Sequence, residues 1–241
     1  MMRQLQKDAG AATLDALAEA PRFNQWMADT IRPYMQGRVL ELGAGIGNLT
    51  KILAPDRDNR NSYLATDIDP VYLERLQALF PPGSSAVEVH RCDLTDARDF
   101  QRLEGQADTV ICMNVLEHVR DDRAALAHIF AALRSGGRAI LLVPQGPKLF
   151  GSLDVAVGHI RRYSEEELRS KIEEAGFQFE KLIPFNRISR PGWLWQGKVR
   201  KQTTLSARQM RRFDSLVWLW RRIDPLLPWR SLSLIAVAGK P

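Results

Sequence analysis

The sequence predicts an α/β fold built on a seven-stranded, mostly parallel sheet with helices on both faces. Three observations predict it. From residue 38 onward, short β-rich runs alternate with helical patterns, the signature of successive βαβ units. The first run leads straight into a glycine-rich turn, Gly43-Ala44-Gly45-Ile46-Gly47. The next two runs are each followed by an acid, Asp67 and Asp93, at what would be one edge of a parallel sheet.

Ala11 to Met35 reads as a helical segment broken near Pro21 and closed by Pro33, placed to cover the sheet edge or the crevice beside it. Five strands follow: Arg38 to Leu42, Ser62 to Thr66, Ala86 to Arg91, Asp108 to Met113 and Arg138 to Val143, each apolar enough to be covered on both faces. Between them, Pro70 to Phe80 starts with proline in a favoured first-turn position, and Asp121 to Arg134 stops at Ser135-Gly136-Gly137. Pro144 to Tyr163 is irregular. Ser164-Glu165-Glu166-Glu167 is then a capping box for a helix ending at Gly176. Phe177 to Phe185 and Ser231 to Ala238 supply the last two strands, with 186–230 inserted between them. The chain is thus expected to be a single domain: an N-terminal helical segment (11–35), a core (36–185), an insert (186–230) and a last strand (231–241).

With 45% apolar and 26% charged residues, the composition excludes a disordered or fibrous chain. The first 20 residues lack the apolar stretch of a signal peptide and nowhere do 18 apolar residues run together, so a cytoplasmic protein is expected. Cys92 and Cys112 sit singly inside apolar runs, as buried thiols do. The four histidines, His90, His118, His128 and His159, are scattered and lack a paired acidic motif, so no metal is expected. The net charge of +6 conceals an asymmetry: residues 1–180 carry 21 Lys+Arg against 26 Asp+Glu, whereas the last 61 carry 13 against two, with five of the six tryptophans.

The glycine-rich turn permits close approach of a ligand to the backbone. Its spacing, GxGxG, departs from the GxGxxG of dinucleotide sites, and Glu41 stands two residues before Gly43, where a carboxylate repels a pyrophosphate but suits a cationic ligand. Asp67, 24 residues after Gly43, can accept hydrogen bonds from two ribose hydroxyls, unless it or Asp69 merely caps the helix at Pro70. Asp93 can accept from an adenine amino group while Leu94 packs on the ring.

With these pieces, VLELGAGIGNLT, ATDIDP, RCDL, ADTVICMNVLEHVRDD and LRSGGRAILLVP, residues 36–185 resemble the class I S-adenosylmethionine-dependent methyltransferases, which have a Rossmann-like fold. The resemblance implies S-adenosylmethionine as cofactor: Glu41, Gly43 and Gly45 along the methionine part, Asp67 on the ribose, Asp93 and Leu94 at the adenine, and Asn114 near the sulfonium. Ala44, Asn48, Ile68 and Val115 complete the expected contacts. His118, in Leu116-Glu117-His118, reads as a helix-start or packing residue. The stretches FGSLDVAVGHIRRYSEEELRSKIEEAGF and FNRISRPGWLWQGKV also resemble a bacterial subgroup sometimes fused to glycosyltransferases of the lipid-linked sugar type.

Methyl transfer is an in-line displacement, for which the enzyme aligns the nucleophile and excludes water. An oxygen acceptor needs a base, for which His159 is the candidate together with Tyr163; the alternative is that both only brace the loop. Arg161 or Arg162 is a candidate to grip an acidic substrate. Leu205 to Trp229 sets Arg208, Arg211, Arg212, Arg221 and Arg222 against Met210, Phe213, Val217 and Trp220 at helical spacing. Such a basic amphipathic helix suits either peripheral contact with the inner membrane face, and so a lipid-like acceptor, or a lid over a small-molecule acceptor. Nucleic acid is the disfavoured partner: Asn114-Val115-Leu116-Glu117 lacks the prolines and aromatic ring of base-amino methylation, and neither cysteine follows a proline. A non-catalytic cofactor-binding scaffold on membranes and a nicotinamide-dependent reductase are the readings from other classes.

Overall fold

Seven strands, β1 (Val39–Leu42), β2 (Tyr63–Asp67), β3 (Val87–Arg91), β4 (Ala107–Met113), β5 (Leu133–Pro144), β6 (Gln178–Phe185) and β7 (Ser233–Gly239), form one sheet in the order β3-β2-β1-β4-β5-β7-β6. The computed structural model describes residues 2–54, 62–83, 85–204 and 206–241, with side chains from residue 10 onward. Strands β1 to β5 pair in parallel, and β7 runs antiparallel between β5 and β6.

Alternation along each central strand divides the core into two layers. Leu40, Leu42, Val110, Cys112, Leu141 and Leu234 face one side, where Leu126 and Ile129 of the helix Asp122–Ala132 and Leu168 and Ile172 of the helix Glu165–Glu174 pack on them. Val39, Ile111, Met113, Ile140, Leu142 and Ile235 face the other, under Phe23, Trp26, Met27 and Ile31. Those four residues belong to a helix, Pro21–Ile31, that follows Met2–Ala18 and takes Pro21 in its first turn, as the break near Pro21 predicts.

Three expectations change. β3 is not covered on both faces: only Val87 among its five residues is buried, because β3 is the sheet's edge and has a single neighbour. The helix before β5 ends at Ala132 rather than Arg134. Leu133 already pairs with Ala107, and Gly136 and Gly137 bond across to Lys240 at 2.9 and 2.8 Å, so the glycines lie in the strand's extension. The expected basic helix is two helices, Ala207–Ser215 and Val217–Ile223, and its first residue, Leu205, lies outside the described residues.

The apolar side of these two helices is packed on the domain: Val217 is buried, and Met210, Phe213 and Trp220 lie against the layer beneath Phe23 and Trp26. Two of the five arginines are tied to N-terminal acids, Arg211 to Glu19 at 3.0 Å and Arg221 to Asp29 at 2.6 Å, while Arg208, Arg212 and Arg222 stay exposed. Buried Asp214 accepts from the Phe23 amide at 2.8 Å and fastens the insert to the helix Pro21–Ile31. No helix among the described residues is long and apolar enough to cross a membrane.

Candidate active site

The direction in which strands are added reverses at β1, whose neighbours are β2 on one side and β4 on the other. Crevices in open α/β sheets form at such a point, beyond the carboxyl ends of the strands. Leu42 stands level with Thr66 and Cys112, and Asp67 level with Arg91, so the residues just after each strand meet in one row.

The turn after β1 is built for close approach. Gly43 and Gly45 have φ of +71° and +58°, which L side chains rarely adopt, and a Cβ on Gly43 would lie 2.3 Å from Val115 Cγ2. The loop is pinned to β2: Ala44 N donates to Thr66 O and Gly45 N to Asp67 Oδ2, both at 2.8 Å. Asp67 Oδ1 accepts from Asp69 N at 2.9 Å, and burial raises its carboxyl pKa against these bonds. Asp69, not Asp67, caps the helix at Pro70, accepting from Val71 N. Asn114 has φ +55°, and its exposed side chain follows β4 directly opposite the turn. Ile68 is exposed beside Asp67.

Gly43, Ala44, Gly45, Asp67, Ile68, Asn114 and Val115 therefore stand together at the carboxyl ends of the neighbouring strands β2, β1 and β4. Glu41 and Asn48 sit behind these residues. Glu41 is 4% exposed, with Oε2 accepting the Thr50 hydroxyl at 2.6 Å and the Tyr63 hydroxyl at 2.9 Å, and burial pushes its carboxyl up to about 7. Asn48 donates to Leu14 O at 3.1 Å and ties the N-terminal helix over the turn. Asp93 Oδ1 is engaged by the Thr95 amide and hydroxyl, and Leu94 is buried in the core layer.

On the far side of Asn114, the segment 145–163 is bound to the sheet end. Gln145 pairs with Tyr163, and Ile160 N donates to Glu117 O at 2.9 Å. His159 Nδ1 lies 3.0 Å from Asp154 Oδ1 and its Nε2 3.5 Å from Glu117 Oε1. Burial works against the Asp154 charge, yet the His159 hydrogen bond and the Arg162 charge hold its carboxyl below the usual range. Burial likewise pushes Glu117 up to about 7. His118 packs edge-on to His159, ring centroids 4.9 Å apart, and desolvation together with the His159 charge lowers it to about 4.

Tyr163 is placed as a brace: it is 1% exposed, and its hydroxyl lies 2.9 Å from Asp122 Oδ2 and 3.2 Å from Leu116 O. Neither arginine is free to grip a substrate. Arg162 is buried on Asp154 at 2.7 Å beneath the Trp193 ring, and Arg161 is paired with Asp122. The residues missed by sequence reasoning are Asp154 and the buried carboxyl of Glu117; the one local signal is Asp154 five residues before His159.

The methyltransferase-domain family matches residues 1–182, three quarters of the chain. The chain belongs to that family. Curated relatives of this methyltransferase domain include a ubiquinone biosynthesis O-methyltransferase of Aeromonas salmonicida, 30% identical over 130 residues, or 52% of this chain and 51% of that protein. The polyketide synthase PksM of Bacillus subtilis is 27% identical over 146 residues, 54% of this chain but 3% of that protein. The chain thus spans about half or less of the curated relatives it matches. Among solved structures, the Haemonchus contortus phosphoethanolamine N-methyltransferase 2 with phosphomonomethylethanolamine and S-adenosylhomocysteine superposes with a TM-score of 0.65 at 16% identity, covering 100% of this chain and 61% of that one. The fold is thus that of S-adenosylmethionine-dependent methyltransferases, and the family match ends before the insert begins.

Proposed function

We propose that this methyltransferase moves the methyl group of S-adenosylmethionine to an oxygen of a small-molecule or lipid-like acceptor by in-line displacement. One observation carries the cofactor half: the Gly43–Gly45 turn, Asp67 and Asn114 meet at the topological switch point, with Asp67 holding the turn from below. Gly43, Ala44 and Gly45 would lie along the methionine part, Asp67 and Ile68 at the ribose, Asp93 and Leu94 at the adenine, and Asn114 and Val115 near the sulfonium. Glu41 and Asn48 act from behind, shaping the turn. His159 is assigned to the acceptor side, oriented through Nδ1 by Asp154, with Tyr163 bracing the loop that carries it. The relative named as an O-methyltransferase supports an oxygen acceptor.

The insert is assigned as a cover over the acceptor side. Its exposed Trp218, Trp229 and Leu226, set among Arg208, Arg212 and Arg222, suit peripheral contact with the inner membrane face of the cytoplasm. Pelleting with anionic liposomes at low salt tests that contact, and absence of binding there refutes it.

Calorimetry with S-adenosylmethionine and S-adenosylhomocysteine tests the core reading. Asp67→Ala is expected to weaken either by about 10–100-fold, the worth of one or two hydrogen bonds to a charged acceptor. Loss of turnover with intact cofactor affinity in His159→Ala would support the acceptor-side assignment. No heat from the folded wild type with either ligand refutes the function.

A further inference from the structure

Glu117 is 0% exposed, and neither of its carboxylate oxygens has a hydrogen-bond partner. A buried carboxyl in that condition calls for an explanation, and a bound ion is one that its neighbours can test. Two imidazoles approach it. His159 Nε2 is 3.5 Å from Glu117 Oε1, and one ligand atom from each of Glu117, His118 and His159 lies within 4.8 Å of the others.

One nitrogen of each ring faces an acceptor: His159 Nδ1 lies 3.0 Å from Asp154 Oδ1, and His118 Nδ1 lies 3.2 Å from Gly158 O. An Nδ1 that donates to such an acceptor leaves its ring's Nε2 to a ligand, the arrangement in which histidine binds metals with a carboxylate or carbonyl behind it. Distance agrees as well. Two ligand atoms about 2.0–2.2 Å from one tetrahedral ion stand about 3.3–3.6 Å apart, as His159 Nε2 and Glu117 Oε1 do. Arg162, at 2.7 Å, keeps Asp154 ionised and in place behind His159.

We propose that Glu117, His118 and His159 form a site for a divalent transition-metal ion, with two imidazoles, one carboxylate and a further position open. A nitrogen-and-oxygen set of this kind suits zinc, cobalt or nickel rather than calcium or magnesium. The sequence conceals the site because His118 and His159 are 41 residues apart and meet only when 145–163 folds back on the turn after β4. Its use rests on the proposed function: His159 is the acceptor-side residue, so the ion would face the acceptor. Its existence does not rest on that reading.

The test is titration of chelator-stripped full-length protein with cobalt(II) alone, followed by visible absorption, then displacement by zinc. One ion per chain with four- or five-coordinate absorption is expected. Asp154→Asn should weaken it by about 10–100-fold, the usual loss for an outer partner. His118→Ala, at a solvent-facing position, should weaken it further. Absence of stoichiometric uptake by the wild type, or uptake unchanged in folded His118→Ala, overturns the site. A parallel titration with S-adenosylhomocysteine separates the two readings. Cobalt uptake without cofactor binding keeps the site and removes the methyltransferase function, whereas cofactor binding without cobalt uptake removes the site alone.

Discussion

Glu41 offers a direct test of how the cofactor turn is held. Its carboxyl is pushed from an ordinary 4.5 to about 7, chiefly by burial, against the hydrogen bonds from Thr50 and Tyr63. A raised acid contributes stability that is present below its unfolded value and is lost as pH rises through its folded value. For this shift the loss relative to acid conditions is about 1 kcal/mol at pH 5 and about 3 kcal/mol at pH 8. Glu41→Gln keeps one oxygen to accept from both hydroxyls and removes the titration. Any fixed cost of placing the amide nitrogen is the same at both pH values and cancels in the comparison. The stability of the variant relative to wild type should therefore improve by about 2 kcal/mol between pH 5 and pH 8. The assay is urea unfolding of both proteins at the two pH values without ligand. A difference that stays flat would refute the claim that Glu41 is buried without a compensating positive charge. If the cationic methionine end of the cofactor reaches Glu41, the same variant will lose cofactor affinity more at pH 8 than at pH 5.

Gly43→Ala should destabilise the turn by about 1–2 kcal/mol through its left-handed backbone alone, with a further loss from the contact at Val115. Val115→Ala in the same chain should recover the contact part and not the backbone part, as read by urea unfolding and cofactor calorimetry. Arg162→Ala leaves Asp154 buried without its guanidinium and should cost about 3–5 kcal/mol in urea unfolding. Adding Asp154→Asn should return part of that loss, and strict additivity of the two changes would show that the pair is not coupled.

What could be read from the residues was whatever repeats locally. The βαβ rhythm, the glycine turn, the Ser164 cap and the position of Asp67 depend on patterns within a few residues, and most strands stand within one or two positions of where those patterns put them, while β5 starts five residues before Arg138, the first helix starts at Met2 rather than Ala11, and the stretch read as irregular holds a short helix, Ser152–Ala156. The divergences come from pairing partners far away in sequence. Gly136 and Gly137 look like a helix stop until Lys240 bonds to both. β3 reads as a covered strand but ends up at the edge, which composition cannot reveal. The arginine-rich stretch has the period of one helix, but the chain breaks at Leu216 into two, and the apolar residues of both pack on the layer that holds Phe23 and Trp26. Tyr163 sounds catalytic beside His159, yet it becomes a support once Asp122 approaches from the helix after β4.

The two halves of the proposed site differ in how they are held. The turn proposed for the cofactor is fixed at the sheet end by the Ala44 amide on Thr66 O and the Gly45 amide on the Asp67 carboxylate. On the side proposed for the acceptor, residues of the insert meet the segment 145–163. Trp193 stacks on Arg162, Arg162 holds Asp154, Asp154 orients His159, and Ser152 Oγ lies 2.6 Å from Gln202 O. The family match stops at residue 182, before any of these insert residues. The side proposed for the acceptor thus draws on Trp193 and Gln202, which lie beyond the family match, and a change at Trp193 should alter turnover while leaving cofactor affinity as it was, because no bond at the glycine turn passes through it.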